Sequence, residues 1–325
     1  MVALIQASII FGTVILFGAV GELITEKAGN LNLGVPGIMY LAGISGLCGA
    51  FVYERSTETP NGFVAVLIVM LFALAAAALS GLLFAFMTVT LRCNQNIMGL
   101  AFNIFAAGTA NFIGGSLNKL TGGVGQLSVK FTSAALRTKP PFLSTNLGVV
   151  SEIFFNYSFL AYLAVILAFV VRWFLNKTTV GLNLRAVGES PSAADAVGIN
   201  VTKYKYLGTM VGAMISGLGG VYFVMDYIKG TWDNSGSVDA LGWLAVALVI
   251  FASWRPLRCI WGAYLFGMLS WLFFYIPGLT RRSQELFKML PYVATLFVLI
   301  FVAMQHKVEN EPPHALGLPY FREER

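Results

Sequence analysis

Charge is what this chain has least of. Only 11% of its 325 residues are Asp, Glu, Lys or Arg, where an ordinary soluble domain carries about 25%. With 57% hydrophobic residues and a mean hydropathy of +0.76, the balance excludes a soluble fold. Histidine is almost missing: His306 and His314 both sit in the polar C-terminal tail, leaving little raw material for a metal centre or His-based catalysis. The three cysteines, Cys48, Cys93 and Cys259, show no pairing pattern and no metal-ligand spacing. No G-x-x-x-x-G-K-[ST] is present, so the chain has no P-loop to hold a nucleotide. No Ser/His/Asp or paired-carboxylate constellation appears either. The chain therefore reads as neither an enzyme nor a cofactor carrier. Its opening, MVALIQASIIFGTVILF, lacks the basic flank and cleavage site of a signal peptide and reads as a first span. The net charge of +6 is what a positive-inside bias produces, so no nucleic-acid partner is called for.

What is there in quantity is apolar helix. About 20 apolar residues cross a hydrocarbon core of about 30 Å. Runs of that kind begin at Leu4, Ile38, Phe63, Ile97, Glu152, Leu207, Ala240, Cys259 and Leu290, and end at Val20, Val52, Leu91, Gly115, Leu175, Val224, Trp254, Ile276 and Met304. The expectation is an all-α, polytopic membrane protein of about nine spans, forming a single domain over residues 1–325. Lys177, Arg185, Lys203 and Lys205 mark the stretch 176–206 as cytoplasmic. Arg92, Arg255 and Arg258 agree by parity, whereas Arg281, Arg282 and Lys288 fall on the outer side against the rule. The Gly- and Pro-containing stretch Ser116–Ser151 is then external. Asp226, Asp233, Asp239 and Trp232 would flank the outer ends of two spans, as a solvated rim or as contacts for a binding protein.

Within 176–206, the residues Ser190 to Gly198 spell a complete short helix. Ser190 is a good N-cap, Pro191 suits the first helical position, and Gly198 suits the C-terminal stop. About two turns fit between them, too few to be stable without packing. Small side chains, Ala193 and Ala194 among them, would let a partner's backbone approach closely. An ordinary connector helix would look the same.

Two further stretches bear on a solute path. Gly21–Gly37 holds Glu22, Glu26, Lys27, Asn30 and Asn32 among Gly29, Gly34, Pro36 and Gly37. The run after it is too short to cross, which predicts a helix broken near residues 30–37; irregular backbone at that depth must face protein or a cavity. Asn96, Gly99 and Asn103 share one helical face. Amides there either line a path for a neutral polar solute or fasten helices together.

A resemblance extends this reading. GLNLRAVGESPSAADAVGIN resembles the coupling loop of ABC-importer permeases of the ribose/branched-chain amino acid class. Their R-A-x-G-x-x-P-x-A-A-x-x-x-G-I pattern falls on Arg185, Ala186, Gly188, Pro191, Ala193, Ala194, Gly198 and Ile199, with Glu189 and Ser190 between. EKAGNLNLGVPGIMYLAG, NQNIMGLAFNIFAAG, PFLSTNLG and DALGWLAVALVIFASWRPL are similar to the nucleoside-importer branch. The resemblance implies a bacterial cytoplasmic-membrane permease that carries nucleosides by alternating access. It also implies a second permease subunit, a lipid-anchored extracytoplasmic binding protein, and an ATPase that docks on the 176–206 loop. The two nucleotide-binding domains of that ATPase are often fused, and ATP sits there and not on this chain. A sugar importer is the alternative within the class. An ion-coupled secondary transporter is the alternative outside it, and the apparent lack of a centrally placed acid speaks against it, with Glu22, Glu26, Asp226 and Asp239 all at span edges.

Overall fold

A computed structural model describes residues 2–120, 128–138, 149–232, 236–276, 278, 280–305 and 311–321. Gly122, Gly123, Gly125, Pro140, Pro141, Asp233 and the PFLSTNLG motif lie outside the described residues. In chain order the helices are α1 (Val2–Lys27), α2 (Val35–Ser56), α3 (Gly62–Ala85), α4 (Gln95–Leu120), α5 (Lys130–Leu136), α6 (Val149–Phe154) and α7 (Phe159–Lys177). There follow α8 (Thr179–Glu189), α9 (Pro191–Ala196), α10 (Val201–Tyr222), α11 (Ser237–Phe251), α12 (Pro256–Leu272), α13 (Arg281–Lys288) and α14 (Leu290–Gln305). Single π-helical turns extend α3 to Thr90 and α10 to Tyr227. Among the described residues there is no β-strand, only an isolated bridge between Ser128 and Thr231.

Among the described residues, seven helices are long and apolar enough to cross a membrane: α1, α2, α3, α4, α7, α10 and α12. The pair α13–α14, bent by 40°, makes an eighth candidate. The shortfall from nine falls on α11, whose 15 residues reach only about 22 Å at 1.5 Å each. The all-helical, polytopic class stands as expected.

Helix α1 is the axis of the fold. It packs along α10 and α12, while α2 packs against α3, α10 and α4. Small residues make this possible, as the glycine-rich run in α10 suggests. A Cβ on Gly21 would lie 2.3 Å from the Gly212 carbonyl oxygen, so α1 and α10 touch backbone to backbone. Outward faces remain apolar, with Leu79 on α3, Ile104 and Phe112 on α4, and Trp173 on α7 exposed. Trp232 corrects one expectation. It is buried against Tyr40 and Gly114 in the core, so it is no interfacial residue.

Candidate functional site

Two neighbouring features occupy the end of the fold where α1 finishes. The first is the α8–α9 corner. Thr178 caps α8 by accepting from the Gly181 N–H at 3.0 Å. Ser190 then breaks the helix in an extended conformation and caps α9, its Oγ accepting from the Ala193 N–H at 3.4 Å. Pro191 holds the first helical position. Gly198, at φ +86°, turns the chain out in the left-handed region that favours glycine. Asn200 caps α10 through the Lys203 N–H at 2.9 Å. Replacing Ser190 by Ala should cost the cap about 1 kcal/mol. The amides of residues 191–199 should then exchange about fivefold faster by hydrogen–deuterium exchange mass spectrometry.

The faces of α9 are divided differently from the sequence expectation. Ala194 is 3% exposed and packs with Val187, Val201, Ile199, Tyr204 and Tyr320. It cannot meet a partner, because it seals α9 onto the chain's own surface. Ser192, Ala193, Ala196 and Val197 point outward instead, Val197 being 77% exposed. Arg185 turns back to the Asn176 side chain at 3.0 Å. Gly188 sits where α8 meets the end of α1, and a Cβ there would be 2.3 Å from the Lys27 carbonyl oxygen.

The C-terminal segment 313–321, part of the polar tail, binds across this corner. His314 donates its N–H to Glu189 at 3.2 Å, and Ala315 donates to the Gly188 carbonyl at 3.0 Å. Gly317 reaches the Gly29 carbonyl at 3.3 Å, and the Tyr320 hydroxyl reaches Asp195 at 3.0 Å. The segment thus ties α9 to the loop after α1. Its signal was faint: Ala315, Leu316, Leu318, Tyr320 and Phe321 are apolar residues interleaved with prolines.

That loop, residues 28–34, is the second feature. Helix α1 runs seven residues past the expected Val20, so Glu22 and Glu26 lie within it, each 1% exposed. The chain then climbs back beside the last turns of α1 in irregular conformation. Asn32 meets Glu22, its N–H donating to Glu22 Oε1 at 3.0 Å. Val35 lies level with Gly18, which is about 13 Å up the helix from Lys27. Buried irregular backbone needs partners, and side chains supply them. Gln95 Oε1 accepts from the Leu31 N–H at 2.6 Å, and Asn32 Oδ1 from the Gly34 N–H at 2.9 Å. Asn30 donates to Thr209 at 2.8 Å, which fixes the loop to α10. Glu26 accepts from the Trp254 indole.

Helix α4 crosses the top of this loop. Gly34 packs under Phe102, Gly99 against Leu33, and Gly37 against Asn103. Asn103 donates to Asp239 at 2.8 Å, and its Oδ1 has no partner. Asn96 does not join them: it is exposed, and its backbone N–H is capped by Asn94. Gln95, one residue earlier, takes the buried place.

The α8–α9 corner and the buried loop 28–34 are thus held together at one end of the fold. Residues 4–299 match the family described as "Branched-chain amino acid transport system / permease component". The chain belongs to this family. Curated relatives span the permease almost end to end. The putative glucose ABC transporter permease protein TsgC13 of Haloferax volcanii is 32% identical, covering 98% of each chain. The guanosine ABC transporter permease protein NupQ of Bacillus subtilis is 30% identical over 99% of this chain and 97% of its own. The nucleoside ABC transporter permease protein NupC of Lactococcus lactis is 30% identical over 90% and 89%. The permease is a multi-pass protein of the cytoplasmic membrane.

Proposed function

We propose that this permease is the membrane-spanning subunit of an ATP-driven importer for nucleosides. The observation that carries the reading is the end-to-end similarity to two permeases named for guanosine and nucleosides. The outward face of α9, Ser192, Ala193, Ala196 and Val197, receives a separate ATPase that binds the ATP. A second permease subunit completes the path, and an extracytoplasmic binding lipoprotein delivers the solute. Movement of α9 reaches the buried loop 28–34 through Gly188 and the C-terminal segment, because both hold α8–α9 to that loop. A switch between two packed arrangements then exposes the path alternately to each side.

The solute path opens where α4 packs on the loop, at Asn30, Asn32, Gly34 and Gly37 against Gly99 and Asn103, once those two surfaces part in the switch. Asn103→Leu removes an open amide oxygen, so it should raise the KM for nucleoside uptake about tenfold while leaving accumulation unchanged. A parallel loss of accumulation and uptake would instead make the Asn103–Asp239 bond a fastening between α4 and α11.

Glucose is the second reading, favoured by the Haloferax relative. Competition uptake with a panel of nucleosides and glucose decides between them. The nucleoside reading expects inhibition by unlabelled nucleosides at micromolar concentration and none by glucose.

A further inference from the structure

A cavity of roughly 420 Å³ lies at the far end of the fold from the α8–α9 corner. Its walls are Ile10 on α1, Tyr157 and Ser158 just before α7, Tyr222 and Asp226 at the end of α10, and Trp271 on α12. Ile10 stands about 25 Å along α1 from Lys27 at 1.5 Å per residue. Four polar atoms here are buried without a hydrogen bond among the described residues: the hydroxyls of Tyr157, Ser158 and Tyr222, and Asp226 Oδ2. Tyr157, Ser158 and Tyr222 are 6%, 4% and 0% exposed. Ser158 stands near enough to act on Tyr222 and Asp226, as Thr13 does on Tyr222, but none of these approaches closes a bond. Buried polar groups left open in this way call for a partner.

The lining says what kind of partner. Arg137, which also lines the cavity, acts on Asp226 as an opposite charge. An entering anion would meet the carboxylate and an entering cation the guanidinium, so the guest is neutral. Lys229 is exposed to solvent, where its charge is screened. A carboxylate accepts, and tyrosine and serine hydroxyls both donate and accept. That set suits a guest carrying several hydroxyls. Ile10 and Trp271 add apolar wall. Apolar lining with a few convergent polar groups marks small-molecule sites, which hold about 300–1,000 Å³. Water would satisfy the polar atoms and leave the apolar wall wet. Asp226 itself sits in the π-helical turn that ends α10, a distortion frequent at functional sites.

We propose that this cavity receives the sugar ring of a neutral solute, with Asp226 accepting from vicinal hydroxyls and Tyr157, Ser158 and Tyr222 completing the set. The site is separate from the path beside α4, because it lies where α1, α7, α10 and α12 meet. Its solute rests on the transport reading: a ribonucleoside and glucose share the hydroxyl chemistry, and the test tells them apart.

The test uses the assembled transporter in nanodiscs, without the binding protein, and carrying Asn156→Cys. Asn156 lines the cavity and is exposed, so a maleimide reaches it. Labelling at position 156 is read by mass spectrometry. The four common ribonucleosides, at millimolar concentration, should slow it about fivefold, and their 2′,3′-dideoxy counterparts should not. Adding Tyr157→Phe with Ser158→Ala removes two hydroxyls and should raise the half-protecting concentration about tenfold. Protection by glucose in place of ribonucleosides supports the site and moves the transport reading to a sugar. Absence of protection by either class overturns the proposal. So does equal protection by the dideoxy compounds, an arm that stands even if the hydroxyl variants fail to accumulate. Unchanged protection in well-folded hydroxyl variants also overturns it. Nucleoside uptake without protection sinks the site and leaves the transport reading, whereas protection without uptake supports the site and sinks that reading.

Discussion

Val197→Asp leaves the permease in the membrane and abolishes uptake. Val197 caps the C-terminal end of α9 with its side chain 77% exposed. A charge there costs the free permease little. In the proposed docking on the ATPase, the same charge would be desolvated at the contact. Central interface positions of this kind are worth about 2–4 kcal/mol, so docking should weaken at least ~30-fold. The checks are co-purification of the ATPase with tagged permease and nucleoside uptake in cells. Normal uptake would remove α9 as the coupling element. Ala194→Arg makes the instructive contrast. It should lower the amount of folded permease as well as uptake, because Ala194 is the inward face of α9.

Gly188→Val has the second large effect, through folding. Any Cβ at this position sits 2.3 Å from the Lys27 carbonyl oxygen, and the backbone N of Gly29 is 3.2 Å away. Both obstacles are backbone, and Gly29 is itself held by Gly317. Neither can give way as a flexible side chain could. Overpacking of this kind costs about 3 kcal/mol, so α8 should lift from α1. The thermal midpoint of the purified transporter should fall by several degrees, with transport lost even where protein remains. Gly198→Ala, where only the positive φ is at stake and nothing lies within 4 Å, should cost about 1 kcal/mol and spare transport.

These two glycines also show what could be read from the sequence. The α9 helix was legible because its signals are local. Ser190, Pro191 and Gly198 act within one or two residues, and each does what its chemistry dictates. The stop between α1 and α2 was legible for a similar reason, since Gly, Pro and Asn crowd it, but the run after it is not short: α2 begins at Val35 and its 22 residues are long enough to cross. The depth of that stop was harder to see. Glu22 and Glu26 ended the apolar run and so appeared to end the helix. In the fold they are held by the Asn32 N–H and the Trp254 indole, partners 10 and 228 residues away. No window of sequence contains the second of these.

That Gln95 and not Asn96 is buried beside Gly99 was hidden for the same reason. Periodicity allows 96-99-103 and 95-99-103 as one face. The Leu31 N–H selects Gln95, and Asn94 capping turns Asn96 to the outside. That Ala194 faces its own chain could not be read, because a helix of six residues gives no preference for either face until Val187, Tyr204 and Tyr320 are in place. The C-terminal segment was missed for the plainest reason. It works mostly through backbone N–H groups of His314, Ala315 and Gly317, which leave no mark in composition.

One measurement bears most directly on the account. Proteoliposomes holding this permease, its partner permease, the ATPase and the binding protein are supplied with a panel of labelled nucleosides. The account predicts accumulation only with ATP, none with this chain alone, and none when Val197→Asp replaces the wild type. Uptake by this chain alone that follows an ion gradient and disappears with a protonophore would contradict it.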